Sequence, residues 1–173
     1  MNTQSPELER SLPTEIERKF VVEALPPGIN LEEMEGARII QGYLANGSGR
    51  NTVRIRQKGD DDYTWTTKRK DGDSPMERTE LECDITEEQF KTMWSATEGR
   101  RIRKTRYEIP YGDDAVIELD VFEGDNAGHM IAEVEFQSLF EAEFFTPPDW
   151  FGAEVTADNR YGNAHISRDG FPV

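Results

Sequence analysis

Seven stretches of this chain alternate polar, mostly charged residues with apolar ones at a period of two. A β-strand sends successive side chains to opposite faces, so each stretch reads as a strand with one polar and one apolar side. "EIERKF" puts Glu15, Glu17 and Lys19 on one face and Ile16 and Phe20 on the other, with Arg18 between them. "NTVRIRQK" opposes Arg54 and Arg56 to Val53 and Ile55, and "YTWTTK" opposes Thr64, Thr66 and Lys68 to Tyr63 and Trp65. "RTELECDI" aligns Arg78, Glu80, Glu82 and Asp84 against Leu81, Cys83 and Ile85. In "RIRKTRYEI" Lys104 and Arg106 share a face. "VIELDVF" opposes Glu118 and Asp120 to Ile117, Leu119 and Val121, and "AEVEF" opposes Glu133 and Glu135 to Val134 and Phe136.

An antiparallel sheet with one face in water accounts for any one of these strands. Two features of the set go further. The charged faces carry almost no Ser, Asn or Gln, and the signs are segregated into acid-rich strands (15–17, 80–84, 118–120, 133–135) and base-rich ones (54–56, 68, 104–106). On an open surface each ion pair would contribute only on the order of a few tenths of a kcal/mol, so stability does not require the arrangement. If the sheet closes with its apolar side outward beneath helices and loops, the lumen is polar and its effective dielectric falls below that of water. Crowded like charges are then tolerable only with counterions: a divalent metal for the carboxylates and a polyanion for the Arg/Lys wall. A metal-bound polyphosphate supplies both.

Turn signals such as "NGSG", "GDDD" and "DGDSP" separate strands expected at 15–22, 38–45, 51–59, 62–70, 77–85, 100–110, 115–123 and 129–138. These predict a mainly β fold with flanking helices, a closed eight-stranded antiparallel β-barrel forming a polar tunnel, because closure removes exposed edges. "TEEQFKTMWSATEG" switches to helical period behind a Thr86–Gln89 capping box. "SLFEAEFFTPPDWFG" reads as an apolar loop or short helix, and "TADNRYGNAHIS" as a helix capped by Thr156. Residues 1–14 read as a flexible tail and 15–173 as one domain, long enough to bury a core without staples.

The net charge of −15 over 173 residues repels a nucleic-acid backbone and excludes generic DNA or RNA binding. The single cysteine, Cys83, rules out an intrachain disulfide and suggests a reducing compartment. No apolar run approaches the ~20 residues that span a bilayer, no signal-peptide core follows the N-terminus, and the expected location is cytoplasmic. His129 and His165 stand alone and are assigned no metal. Cys83 is expected to pack on the apolar face of its strand, and Trp65, Trp94 and Trp150 to anchor core or loops.

"EIERKF" carries the ExExK signature, and with "QGYL", "VRIR", "TTKRK", "ERTELE", "RKTRYEI", "ELDVFEGDNAG", "AEVEF" and "EVTADNRYGN" the chain resembles the triphosphate tunnel metalloenzymes, also called the CYTH superfamily, and among them the small bacterial inorganic tripolyphosphatases. The ordered set runs from Glu15 to about Ile166. The resemblance implies an eight-stranded barrel that binds triphosphate compounds with Mg²⁺ or Mn²⁺. It further implies metal ligation by Glu15, Glu17, Glu133 and Glu135 with Asp120 close by, and outer-sphere or second-metal roles for Glu80 and Glu82. Lys19, Arg54, Arg56, Lys68, Arg78, Lys104, Arg106 and Arg160 would bind phosphate, and Tyr43 resembles a tyrosine that sits near the ExExK lysine. The catalytic set on this basis is Lys19, Tyr43, Glu80 and Glu82.

The expected function is metal-dependent hydrolysis of a terminal phosphoanhydride, with inorganic tripolyphosphate as first choice. One metal would orient and neutralise the substrate and a second would activate water. A class IV adenylate cyclase, a thiamine or nucleoside triphosphatase and a non-catalytic polyphosphate-binding module are the alternatives. Thr52 stands where thiamine triphosphatases carry a stacking aromatic, which counts against that substrate, and the full carboxylate set argues against a mere binding module. The expected partner is a small triphosphate, with no nucleic acid and no membrane, for a chain that is a monomer or homodimer.

Overall fold

A computed structural model describes residues 13–47, 51–70, 74–112 and 115–172. Eight strands form it: β1 (Thr14–Val22), β2 (Gly36–Gly47), β3 (Asn51–Lys58), β4 (Asp62–Arg69), β5 (Glu77–Asp84), β6 (Arg101–Tyr111), β7 (Ala115–Phe122) and β8 (Met130–Glu135). They close into one antiparallel barrel in the order β1-β5-β4-β3-β2-β6-β7-β8. Three short helices flank it: α1 (Glu87–Trp94), α2 (Leu139–Phe144) and α3 (Asn163–Asp169).

Closure depends on β1, which changes partner along its length. Thr14–Ile16 pair with β5, and Glu17–Val22 pair with β8. The edge of β1 that β5 leaves open is taken by the segment 152–156: Gly152 N–H donates to the Val21 carbonyl at 2.8 Å and Val155 N–H to the Lys19 carbonyl at 2.8 Å. The Lys19 N–H donates to Thr156 Oγ1 at 3.0 Å. Thr156 is therefore a strand partner rather than the expected helix cap. The last helix begins later, after Gly162, because Asp158 caps an intervening 3₁₀ turn over Asn159–Tyr161.

The outward apolar rows behave as their alternation requires over most of the barrel. Phe20, Ile55 and Val134 are buried, while Ile16 and Val53 are partly covered. Val22, Ile117, Leu119, Ala132 and Val134 form a core on which Phe145, Trp150 and Phe151 pack. Arg18 lies in this outer layer. It donates to the carbonyls of Ala142 and Phe145 and pairs with Glu154, so it ties the loop after β8 to β1. The capping box of Thr86 and Gln89 forms as expected, and α1 packs on β3 and β4 with Phe90 buried. β5 is the exception. Leu81 is 52% exposed and Cys83 is also exposed, so the expected packing of Cys83 does not occur.

A second apolar cluster lies inside the barrel. Ile102, Phe122 and Ile131 stand on the same strand faces as Lys104, Asp120 and Glu133, and they meet Val155 and Ile166. The inward rows of β6, β7 and β8 thus turn from apolar to charged along the barrel axis, and one end of the lumen is plugged. Of the expected tail, residues 1–12 lie outside the described residues, and Thr14 already belongs to β1.

Candidate active site

The charged rows converge on one cavity of about 660 Å³ at the open end of the lumen. β1 contributes Glu15, Glu17 and Lys19, and β8 contributes Glu133 and Glu135. Arg54 and Arg56 come from β3, Lys68 from β4, and Arg78, Glu80 and Glu82 from β5. Lys104 and Arg106 come from β6 and Glu118 from β7. On β2, Gln41 and Tyr43 face the same space. A bulge at Leu44, between the pairs Tyr43↔Arg54 and Ala45↔Val53, follows them. Thr52 also lines the cavity, and Gly162, Asn163 and Ala164 contribute from the start of α3.

Acid and base neutralise one another across the strands. Lys19 Nζ is 2.7 Å from Glu133 and 3.5 Å from Glu17. Lys68 Nζ is 2.5 Å from Glu15 and 2.7 Å from Glu80. Glu82 receives Thr66 Oγ1 at 2.7 Å and Arg56 at 3.1 Å, with Arg54 at 3.7 Å. Arg106 contacts Glu118 and donates to Asp120 and Glu133 at 2.7 Å each. Burial opposes the charge of Lys19, but Glu133 and Glu17 hold it above its ordinary value. Burial likewise opposes the Glu133 carboxylate, yet Lys19 and Arg106 keep it well below the usual range. Lys104 goes the other way: burial and then the Arg106 cation bring it down to about 8.

Among the described residues, two buried donors of this wall, Arg54 Nε and Arg56 Nε, have no acceptor. An unsatisfied buried donor costs about 1–3 kcal/mol unless water or a ligand supplies an acceptor oxygen. Tyr43 is 3% exposed, and its hydroxyl accepts a hydrogen bond from Gln41 Nε2 at 2.9 Å. Burial raises the phenol pKa despite Arg54 and Lys68, so Tyr43 stays protonated and its own O–H remains available to donate.

The four glutamates expected to hold metal gather on the β1–β8 pair, where Glu17 is directly opposite Glu135. Like charges facing each other across a ladder are destabilising. Among the described residues Glu135 has no ion-pair partner, and partial burial with Glu118 and Glu15 nearby pushes it to about 7. A divalent cation with a preference for hard oxygen ligands fits this strain, and the donor set suits Mg²⁺ or Mn²⁺. Among the described residues no three acidic side chains stand together as a ready chelate. Lys19 and Arg106 lie between them.

Two expected site residues are placed elsewhere. Arg160 is 61% exposed in its side chain and holds Asp158 at 2.7 Å, away from the cavity. Asp120 is fully buried behind Lys104 and Arg106 and does not line the cavity. Conversely, Gln41 and Glu118 line it although neither is among the expected site residues, Glu118 lying on a face expected to point inward. Glu118 had a signal, since it shares an inward row with Asp120, whereas Gln41 follows an apolar pair and shows no charge periodicity.

The chain matches the CYTH domain over residues 13–167. It is 45% identical to an inorganic triphosphatase of Nitrosomonas europaea over 154 residues, 89% of this chain and 97% of that protein. An inorganic triphosphatase of Acetivibrio thermocellus is 32% identical over 157 residues, 90% of this chain and 94% of that protein. The crystal structure of an inorganic triphosphatase superposes with a TM-score of 0.64 at 40% identity, covering 91% of this chain and 97% of that one.

Proposed function

The chain belongs to the CYTH domain family, and on that premise we propose that it is a metal-dependent hydrolase whose substrate is inorganic tripolyphosphate. The observation that carries the reading is the pair of buried, acceptor-less guanidinium donors, Arg54 Nε and Arg56 Nε, in a wall of cations facing carboxylates. The two relatives named as inorganic triphosphatases support it.

In this reading the phosphate chain lies along Arg54, Arg56, Lys68, Arg78, Lys104 and Arg106, and Lys19 exchanges Glu133 for a phosphate oxygen. Glu15, Glu17, Glu133 and Glu135 would hold the metal. Bound there, Mg²⁺ or Mn²⁺ supplies charge neutralisation and lowers the pKa of a water nucleophile. The cations stabilise charge on the transferring phosphoryl group, since such transfer depends mainly on positioning and electrostatics. Tyr43, neutral and oriented by Gln41, donates its proton toward a phosphate or leaving oxygen. Glu80 and Glu82 act from the outer sphere, orienting Lys68, Arg54 and Arg56. Arg160 would join only if the segment before α3 turned inward. The cytoplasm remains the compartment of this reading.

Phosphate release from tripolyphosphate, pyrophosphate, ATP, GTP and thiamine triphosphate, each with Mg²⁺, Mn²⁺ or EDTA, tests it. No stacking aromatic stands at Thr52, so a nucleoside or thiamine group gains little at that position. The expected kcat/KM for tripolyphosphate exceeds that for ATP by at least about tenfold, on the order of 1.4 kcal/mol. Equal activity on ATP with cyclic AMP as product would replace this reading with the cyclase.

A further inference from the structure

Asp120 sits where the apolar plug meets the charged wall, flanked on its own inward row by Phe122 and Glu118. Its side chain is 1% exposed. Arg106 grips it side-on, Nε to Oδ1 at 2.7 Å and Nη2 to Oδ2 at 2.7 Å, and Lys104 Nζ contacts the same Oδ2. Such a fork fixes both the distance and the plane of a guanidinium. The two cationic heads stand between this carboxylate and the cavity, so a divalent ion approaching it would meet two positive charges first. Glu17 and Glu133, by contrast, line the cavity.

We propose that Asp120 is a positioning residue that anchors Lys104 and Arg106 against the phosphate chain, and that it does not ligate the metal. A short side chain suits an anchor, because aspartate draws both heads back to the strand, whereas the glutamates on neighbouring rows reach forward. The inference rests on the triphosphatase reading of the cavity. A carboxylate moved out by one methylene leaves both cations charged and costs them their placement, whereas an amide also removes an anion that favours the Lys104 ammonium. In Asp120→Glu affinity for the polyanion therefore survives, while turnover falls.

The test compares wild type with Asp120→Glu, which keeps the charge and moves the anchor, and with Asp120→Asn, with folding of each checked by circular dichroism. Three quantities are read: Mn²⁺ affinity by electron paramagnetic resonance, tripolyphosphate affinity in EDTA by calorimetry, and kcat per folded molecule. The expected result is Mn²⁺ affinity within twofold of wild type and a kcat at least tenfold lower in either variant, with undiminished tripolyphosphate affinity in Asp120→Glu. A tenfold loss of Mn²⁺ affinity would make Asp120 a metal ligand and overturn the proposal. An unchanged kcat would leave it a merely structural anion and also overturn it. Wild-type protein that does not turn over tripolyphosphate defeats the substrate reading itself, and that result is read before the variants are compared.

Discussion

Lys19 on β1 and Glu133 on β8 are cross-strand partners, and their charged atoms meet at 2.7 Å with both side chains less than a tenth exposed. The lysine of the ExExK motif is thus held by the strand that also carries the second pair of acidic residues. In the proposed function, substrate and metal would enter this site by exchange: phosphate would take the ammonium, and the carboxylate would be released to the cation.

Lys19→Met keeps the apolar stem and removes the ammonium. Removing one partner of a buried ion pair costs about 3–5 kcal/mol, and the lower end is expected here because Arg106 still holds Glu133. For a chain of this size that lowers Tm by roughly 2–4 °C per kcal/mol. Added Mg²⁺ should raise Tm more in the variant than in wild type, since the metal replaces the lost cation. Differential scanning calorimetry with and without Mg²⁺ reads both, and an equal Mg²⁺ response in the two proteins would contradict the exchange.

Glu17→Gln keeps size and removes one of two carboxylates that face each other across β1 and β8. Activity with Mg²⁺ should fall by about a hundredfold or more, on the order of 3 kcal/mol in transition-state binding. Apo Tm should not fall, because the substitution relieves repulsion with Glu135. Steady-state phosphate release and thermal melts in EDTA check the two halves separately.

Glu135 gives a pH signature. Its folded pKa of about 7 lies above the ordinary carboxylate value, so its ionisation disfavours the folded state. Apo stability from this group is full below about pH 4.5, where both states are protonated. It declines as pH rises through 7. Glu135→Gln should therefore melt higher than wild type at pH 8, with the gap closing toward pH 4.5. Mg²⁺ should close the gap at pH 8 as well.

Gly42 lies where β2 crosses the turn after α1, and a Cβ there would stand 2.5–2.7 Å from side-chain atoms of Thr97. Thr97 is fully buried and its hydroxyl bonds the Trp94 carbonyl at 2.8 Å, so it has no room to yield. Gly42→Ala should cost about 1–3 kcal/mol of stability by overpacking, read from urea denaturation. Kinetics per folded molecule should stay close to wild type.

The barrel was legible because its signal is local: alternation is a property of neighbouring residues, and the inward rows are marked by charge. Lys19, Arg54, Glu133 and Tyr43 fell where that pattern and the resemblance put them. The plug was not legible. Ile102, Phe122 and Ile131 obey the same alternation as Lys104, Asp120 and Glu133, but equating apolar with outward hides them. Only a segment far along the chain, bearing Val155 and Ile166, turns that end of the lumen dry. Thr156 was misread for a related reason: a hydroxyl before a polar run suits a helix cap, and its bond to the backbone of Lys19 is a tertiary contact no local pattern announces. Cys83 is exposed while α1 packs on β3 and β4, and where α1 lands is a tertiary matter.

The place of β1 in the ring bears on how the protein is made. It is the first of the described strands, yet it must fit between β5 and β8. In the growing polypeptide β1 lacks its β5 partner until four more strands have emerged and its β8 partner until seven have, and the sheet keeps open edges until the ring closes. Such edges recruit other chains, and long-range closure of this kind is slow. Glu15, Glu17, Arg18 and Lys19 keep the waiting strand charged on both faces, so it is a poor template for intermolecular pairing. Glu15, Glu17 and Lys19, proposed to serve chemistry in the finished barrel, are thus also placed to act beforehand as gatekeepers against aggregation.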